Sequence, residues 1–414
     1  MLNVLDVFSG AGGLTEGFRY KDYYNFICHI EMEKDACSTL GLRNIYYYLK
    51  KNDNLSPYYK YIQGKISKDE LYSIIPNDIT KDILNNEISK KTMPYIFEYI
   101  DQKLDDSKLD GIIGGPPCQA YSTIGRATNK SKKATDNRIY LYKYYLDFLN
   151  KYKPKFFIFE NVKGLLSFKD LFGDLLLPKI ICEFNICGYN VEYKIVDASE
   201  YGVSQKRERL IIVGYRKDLF PKYDFFYFLD KYKEPAPIVR ELFSDLPFIK
   251  SGEESYEYSC HNSNMFIKKY IREDNDVLTQ HIARPHNDND LEIYKLVLKA
   301  KQNGINLKYT DLPETLQTHS NTTSFLDRYK ALDYDSFSHT IVAHISKDGH
   351  YYIHPDLRQN RSISVREAAR IQGFPDNFYF EKSRTSAFKQ IGNAVPPVLS
   401  KKIAMAVIDF LKAI

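Results

Sequence analysis

The chain has 414 residues, of which 43% are hydrophobic and 27% charged, with a formal net charge of +5 at pH 7. This length provides for two or three domains with a sizeable core, and the composition is that of a soluble globular protein. Apolar stretches are too short to span a bilayer and the first residues lack the basic region of a signal peptide, so we expect no membrane partner. The mild positive charge is compatible with a polyanionic partner but does not require one.

The cysteine and histidine spacings argue against a metal site. The six cysteines form no CxxC pair and have no metal-ligand spacing with histidine. This pattern predicts reduced thiols, a cytoplasmic location and no bound metal. We interpret His281, His286 and His319 as loop-surface residues.

Strand and helix signals alternate through residues 1–215. Strands are predicted at 4–8, 26–30, 108–113, 156–159, 191–196 and 209–214, and helices at 139–151 and 171–184. Strands separated by helices indicate βαβ units, and therefore an α/β fold with a parallel sheet. Residues 44–76, rich in Tyr and Lys, are interpreted as a long insertion.

Beyond residue 216 the sequence is polar and irregular up to about residue 355, which predicts a second, smaller and less regular domain. A regular helix pattern follows at Ser364, which forms a capping-box pattern with Glu367. This predicted helix ends near Gly373. A last helix is predicted at 396–411. We therefore assign residues 1–215 plus 396–414 to a catalytic domain and residues 216–395 to the second unit.

Polar residues follow several of the predicted strands, where functional groups of such sheets lie. The glycine turn Ser9–Gly13 follows the first strand, and Glu31 ends the second. The turn lacks the full GxGxxG spacing and a Walker lysine. With an acidic residue placed to bind ribose hydroxyls, it favours an adenosine-containing cofactor.

Cys118 follows Gly114-Gly115-Pro116-Pro117 directly after a predicted strand. The prolines fix φ and the glycines allow close approach of another chain or ligand, so this loop is rigid and holds its side chain before reaction. Taken alone, a cysteine beside a turn is more often structural. Glu160 alone could equally be a turn residue, and the arginines at 207 and 209 could lie on a solvated face.

Six sequence blocks, however, occur in the order typical of the DNA (cytosine-5) methyltransferases, and the chain resembles this family along most of its length. The blocks are DVFSGAGGL (6–14), GPPCQ (115–119), ENV (160–162), QKRER (205–209), REAARIQGFP (366–375) and QIGNAVPP (390–397). The resemblance implies a Rossmann-like S-adenosylmethionine-dependent methyltransferase sheet with a smaller, irregular target-recognition domain. It also implies double-stranded DNA as substrate, a monomer, and a bacterial restriction-modification role beside a companion endonuclease for the same sequence.

The resemblance also implies which residues of this sequence form the cofactor site. The residues expected to bind S-adenosylmethionine are Phe8, Ser9, Gly10, Ala11, Gly12, Gly13, Leu14, Glu31, Met32, Asp78, Ile79, Pro116, Asn393 and Ala394. Met32 is expected against the adenine ring, Asp78 at the adenine amine, and Asn393 at the methionine end.

The catalytic residues implied are Cys118, Glu160, Arg207 and Arg209. Cytosine C5 is a poor nucleophile, and a thiolate adding to C6 makes it carbanion-like. The carboxyl at 160 would bind ring N3 and the exocyclic amine, with an arginine against the base carbonyl. Because the base lies inside a duplex, it must be extruded. The residues expected at the DNA are Gln119, Ser122, Arg126, Lys130 and Thr340.

Three alternatives compete with this interpretation. A tRNA cytosine-5 methyltransferase of the same fold is the nearest, although the long recognition region and Gln119 after the cysteine favour DNA. A nicotinamide-dependent oxidoreductase would leave Cys118 and Glu160 without a role. A catalytically inactive DNA-binding module would not need the complete catalytic set.

Overall fold

The computed structural model describes residues 1–117, 121, 137–260 and 263–414. Its main strands are β1 (Leu2–Val7), β2 (Tyr24–Glu31), β3 (Ile83–Asn85), β4 (Gly111–Gly114), β5 (Phe156–Val162) and β6 (Tyr189–Asp197), followed by β7 (Gln205–Lys206) and β8 (Glu208–Arg216). Short strands β9 (Glu254–Ser255), β10 (His281–Ile282) and β11 (Ser338–His339) follow. Seven strands form one sheet in the order β3-β2-β1-β4-β5-β8-β6, which confirms the predicted α/β fold.

The sheet is parallel from β3 to β5 and antiparallel at its other edge. β8 lies between β5 and β6 and runs antiparallel to both. The expectation of a wholly parallel sheet was therefore wrong at this edge. The reason is the short connection of residues 198–207 between β6 and β8, which leaves no room for the helical crossover that a parallel pair needs.

Helices surround the sheet and build the second unit. They are α1 (Gly13–Phe18), α2 (Lys34–Lys51), α3 (Ser56–Ile62), α4 (Lys68–Ser73), α5 (Met93–Leu104), α6 (Tyr142–Tyr152), α7 (Leu176–Ile186), α8 (Phe225–Asp230), α9 (Val239–Leu242), α10 (Asp288–Gln302), α11 (Val365–Ile371), α12 (Arg384–Asn393) and α13 (Pro397–Lys412). The predicted helices at 139–151, 171–184 and 396–411 correspond to α6, α7 and α13, with starts shifted by one to five residues.

Residues 44–76, interpreted from the sequence as a long insertion, are largely helical. α2 continues through residue 51, and α3 and α4 pack beside it. Tyr46 and Tyr58 are fully buried in the resulting cluster, with ring centroids 5.0 Å apart. Tyrosines supply the apolar area here, which is why a search for aliphatic periodicity finds no helix.

Both faces of the sheet are covered by apolar clusters. One face packs against α5, α6 and α7, and the other against α8 and α13. α1 and α13 approach so closely that a Cβ on Gly17 would lie 2.2 Å from the backbone nitrogen of Lys401. The predicted return of the last helix onto the first part of the chain is therefore present in the structure.

Residues 216–395 form an apolar cluster around α9, α11 and α12, which Ala11 of the glycine turn joins. The predicted capping box is present, with Ser364 and Glu367 each bonded to the other's backbone N–H. Buried ion pairs reinforce this cluster: Arg370 contacts Asp376 at 2.5 Å, and both side chains are fully buried. The exact division at residues 215 and 396 stays a prediction.

His281 and His286 are not surface residues as expected. His281 is fully buried, and its ring nitrogens bond to the Ser364 hydroxyl and the Pro247 carbonyl at 2.9 and 3.0 Å. The side chain of His286 is only 2% exposed. His319 lies on the surface. Across the described ranges, none of the helices combines the length and apolar character needed to cross a bilayer.

Candidate active site

The glycine turn after β1 is shaped by backbone geometry that few residues adopt. Phe8, Gly10 and Gly12 have φ values of 58°, 55° and 85°. Only glycine takes such values without strain, so the two glycines are required and Phe8 is held in a strained turn. The Ser9 hydroxyl stabilises the turn by donating to the carbonyl of Asp6 at 2.9 Å.

The turn is tied to the end of β2 through Glu31. Its carboxylate accepts one hydrogen bond from the Gly10 N–H and one from the Glu33 N–H, both at 2.8 Å. Burial raises the pKa of the Glu31 carboxyl, and these two N–H donors act in the opposite direction. Since an ionised carboxylate offers about four acceptor positions, it keeps capacity for a ligand's hydroxyl groups.

This edge of the sheet fits an adenosine group. A Cβ placed on Gly10 would have no atom within 4 Å, so the turn has an open side. Next to Glu31, the Met32 side chain is 56% exposed, as expected of an apolar residue that a planar ring would cover. The residues present therefore suit a cofactor with a ribose and an aromatic base.

Asn85 is a site residue that the sequence analysis missed. It ends β3 directly opposite Glu31, and its amide donates to the carbonyls of Glu31 and Met32, both at 3.0 Å. It therefore fixes the backbone where the adenine is expected. The only signal was the short run Ile83-Leu84 before it, which is too brief to identify as a strand.

Asp78 and Ile79 do not reach this edge, which corrects the expected adenine contact. They lie in the turn that precedes β3, and together with Tyr24 at the start of β2 they line a different cavity. Because β2 and β3 are parallel, the start and the end of β3 face opposite edges of the sheet. The unrecognised helices α2 to α4 displaced the sequence register here.

Three further residues of the glycine block serve packing. Ala11 and Leu14 are buried in the two apolar clusters that flank the turn. A Cβ on Gly13 would lie 2.4 Å from the carbonyl oxygen of Val395, so the turn packs on the QIGNAVPP block. The Ala11 and Leu14 side chains are core residues, so their expected contact with the cofactor would fall to the backbone and stays a prediction.

The loop after β4 is wedged between two neighbouring strands. A Cβ on Gly114 would lie 1.9 Å from the Val7 carbonyl oxygen, and one on Gly115 would lie 2.0 Å from the Glu160 carbonyl oxygen. Only glycine fits at either position. Pro116, which follows, is buried. The start of the loop is thereby fixed against the end of β1 on one side and against β5 on the other.

Glu160 and Arg209 form an ion pair at the same edge. Arg209 Nε lies 3.0 Å from Glu160 Oε1, and the side chains are 12% and 17% exposed. β8 runs antiparallel to β5, so its first residues lie beside the last residues of β5. A carboxylate held by a guanidinium beside a rigid glycine-proline loop can bind and polarise a nitrogen heterocycle.

Arg207 does not join this pair, although it was expected to point the same way. It is 1% exposed and donates to the carbonyls of Ile341, Gly392 and Ala394 at 2.7, 3.2 and 2.9 Å. It lies between β7 and β8, which pair with different strands, so the alternation of a single strand does not apply. Its observed contacts hold the second unit and the chain before α13 against the sheet.

The remaining described candidates are placed as follows. Asn393 is exposed at the end of α12, and Ala394 is buried with its carbonyl bonded to Arg207. The Thr340 hydroxyl donates to the carbonyl of Lys206 at 2.6 Å, beside the β7–β11 pair. Their contacts with cofactor or DNA stay predictions.

The predicted nucleophile and four predicted DNA contacts lie outside the described residues. They are Cys118, Gln119, Ser122, Arg126 and Lys130. Among the described cysteines, Cys28, Cys37, Cys182 and Cys187 are free thiols.

The sequence matches the family model for C-5 cytosine-specific DNA methylase over residues 69–409. The chain belongs to this family. A similar curated protein is the type II methyltransferase M.Bpa9945I of Bacillus paralicheniformis, 38% identical over 99% of both chains. The type II methyltransferase M.AgeI of Thalassovita gelatinovora is 27% identical over 97% of this chain and 98% of its own. The protein is thus a DNA (cytosine-5) methyltransferase.

Solved structures show the same fold. A prophage-encoded E. coli protein described as a DNA modification methyltransferase superposes with a TM-score of 0.66 at 22% identity, covering 100% of both chains. The S. pombe Dnmt2 methyltransferase superposes with a TM-score of 0.56 at 15% identity over 99% of both. At these identities the likeness establishes the architecture of the methyltransferase sheet.

Proposed function

We propose that this methyltransferase transfers the methyl group of S-adenosylmethionine to C5 of a cytosine turned out of a specific duplex DNA sequence, through a covalent bond to Cys118. The cofactor supplies an electrophilic methyl group when bound. Glu31 would accept its ribose hydroxyls, the backbone at Gly10 would approach it closely, and Met32 would cover the adenine. The open side of the glycine turn and the spare acceptor positions of Glu31 support this assignment.

The bonds change in a balanced order. The Cys118 thiolate forms a bond to C6, and the electron pair of the C5–C6 double bond moves to C5. Glu160 hydrogen-bonds ring N3 and the exocyclic amine, and it stabilises the charge that the ring gains. C5 would then take the methyl group, whose bond to the cofactor sulfur breaks with its electron pair left on that sulfur. The C5 proton would pass to solvent, the C5–H electron pair would restore the C5–C6 double bond, and Cys118 would leave C6 as a thiolate.

One observation carries the proposal: Gly115 lies against the Glu160 backbone, and Glu160 is held by Arg209. The sequence attaches Cys118 three residues after this contact, beyond two prolines that restrict the backbone. The nucleophile would bond to C6 and the acid to N3 on the opposite side of one ring, so the separation between the two side chains must stay fixed. The contact of Gly115 with the Glu160 backbone supports such a constraint.

Trapping tests the covalent step. Duplex DNA with 5-fluorocytosine at the target has no C5 proton to lose, so the enzyme should stay bonded to it and migrate as a larger species in denaturing gels. Cys118→Ala should give no adduct and no methyl transfer while still binding cofactor. Cys182→Ala, which removes an exposed thiol, is the matched control and should react like the parent protein. Methyl transfer by Cys118→Ala at the parent rate would refute the mechanism.

We further propose that the enzyme acts as a monomer and protects DNA from an endonuclease specific for the same sequence. The type II methyltransferases among its relatives support this role. Bisulfite sequencing of DNA from cells expressing the chain would report the methylated sequence. Labelled-cofactor assays with duplex DNA and with tRNA would separate the two substrates, and light scattering would give the mass in solution. Methylation of tRNA alone would overturn the assignment to DNA.

A further inference from the structure

Two histidines and an aspartate meet in the second unit, remote in sequence from the blocks of the methyltransferase site. His286 precedes α10, Asp290 lies in its first turn, and His350 comes from the loop after Ala343–Ser346. One ligand atom from each lies within 4.8 Å of the others. The side chains are 2%, 19% and 16% exposed.

The separations are too long for hydrogen bonds and suit a bridging ion. His286 Nδ1 lies 3.9 Å from Asp290 Oδ2, and His350 Nε2 lies 3.8 Å from Asp290 Oδ1. Hydrogen bonds between such atoms measure about 2.7–3.2 Å. Ligand atoms about 2.0–2.2 Å from a tetrahedral zinc ion are about 3.4 Å apart, so zinc binding would shorten each of these two histidine–aspartate separations by roughly half an ångström.

The other nitrogen of each ring already has a partner, as metal-binding histidines require. His286 Nε2 lies 2.9 Å from the Ser362 hydroxyl, and His350 Nδ1 lies 2.8 Å from the Tyr294 hydroxyl. The Tyr294 hydroxyl also lies 3.4 Å from His286 Nδ1, a contact that an ion bound to this nitrogen would replace.

The charges around the cluster leave room for a cation. Arg284 and Arg384 are the nearby positive groups and Asp348 a further carboxylate. Arg284 directs its guanidinium to the carbonyls of Ile345 and Ser346, away from the ligand atoms.

We propose that His286, Asp290 and His350 bind one divalent zinc ion, with a water molecule as the fourth ligand. Two imidazoles and a carboxylate suit zinc better than magnesium or calcium, which prefer oxygen ligands. The ion would tie the start of α10 to the 347–353 loop. That loop carries Tyr352, whose hydroxyl bonds to the carbonyl of Thr340, so the ion stiffens the segment predicted to meet DNA.

The test uses the full chain without a polyhistidine tag, stripped with a chelator and titrated with Zn²⁺ against a chromophoric competitor. Asp290→Asn keeps the shape of the side chain and should weaken zinc binding at least 100-fold, as should His350→Gln. His344→Gln removes a 58%-exposed histidine from the same loop region and is the matched control, so its affinity should equal that of the parent. These readouts are independent of methyl transfer.

A second measurement guards against misfolded variants. Zinc should raise the melting temperature of the parent protein and of His344→Gln, and leave that of Asp290→Asn unchanged, because binding to the folded state alone stabilises it. Failure of the parent protein to take up one equivalent of zinc at micromolar concentration would overturn the proposal. Equal affinity in the parent and Asp290→Asn would overturn it as well.

Discussion

Gly115→Ala tests the contact that links the nucleophile loop to Glu160. The added Cβ would lie 2.0 Å from the Glu160 carbonyl oxygen, whereas ordinary contact begins at 3.4 Å. The added Cβ would clash with backbone atoms, which cannot rotate away as a side chain can. The loop or β5 must therefore move by roughly an ångström. A misplacement of about 1 Å can cost a reaction about 100-fold, which corresponds to about 2.7 kcal/mol in the barrier.

The assay is transfer of a labelled methyl group to duplex DNA under single-turnover conditions, with circular dichroism to confirm folding. Gly41→Ala is the matched control, because it makes the same chemical change in α2, where the nearest atom would be the Tyr72 hydroxyl oxygen at 3.4 Å. That variant should keep full activity and gain slightly in stability, since alanine favours a helix over glycine by about 1 kcal/mol. If folded Gly115→Ala transferred methyl groups within twofold of the parent rate, the proposed constraint would be refuted.

Three further predictions concern charge. Arg370→Met removes an ion-pair partner from two buried carboxylates, Asp245 and Asp376, and should cost about 3–5 kcal/mol in thermal or urea unfolding. Arg240→Met, in an exposed pair, should cost less than about 1 kcal/mol, and equal costs would contradict the role of burial. Glu31→Gln presents an NH₂ group to a backbone N–H and should weaken cofactor binding at least about tenfold by calorimetry, and an unchanged affinity would exclude the assigned contact. Burial alone would raise the pKa of Glu367, but the Arg361 guanidinium holds that pKa well below its ordinary 4.5. The ionised carboxylate therefore stabilises the folded state above pH 4.5, and this stabilisation is lost on acidification. A melting temperature that stays constant from about pH 5 to pH 3 would contradict this reasoning.

The sequence predicted those parts of the site that depend on strand ends. A strand ending in Glu31 and a strand followed by Gly-Gly-Pro-Pro place their residues at one sheet edge whatever the exact register. The structure also places Arg209 beside Glu160, where the family pattern puts it. Their roles in catalysis stay predictions.

Other parts depended on packing that the sequence does not display. Asp78 was expected at the edge where the structure has Asn85, because the intervening helices are built from tyrosines and escaped recognition. Arg207 was grouped with Arg209 because its partners are carbonyls of residues 134 to 187 positions away. His286 and His350 meet Asp290 only after the second unit folds, so their spacing along the chain carries no metal signal.

The contact between α1 and α13 has a consequence for synthesis. The Ser400 hydroxyl donates to the carbonyl of Leu14, 386 positions earlier, and Gly17 touches the same late helix. At about 5–20 residues per second, a ribosome needs about 20–80 s to make the intervening chain. During that interval the apolar sheet face that α13 covers is exposed to solvent, where chaperones can bind it or aggregation can start. Ribosome stalling before α13 should therefore yield insoluble, inactive nascent protein.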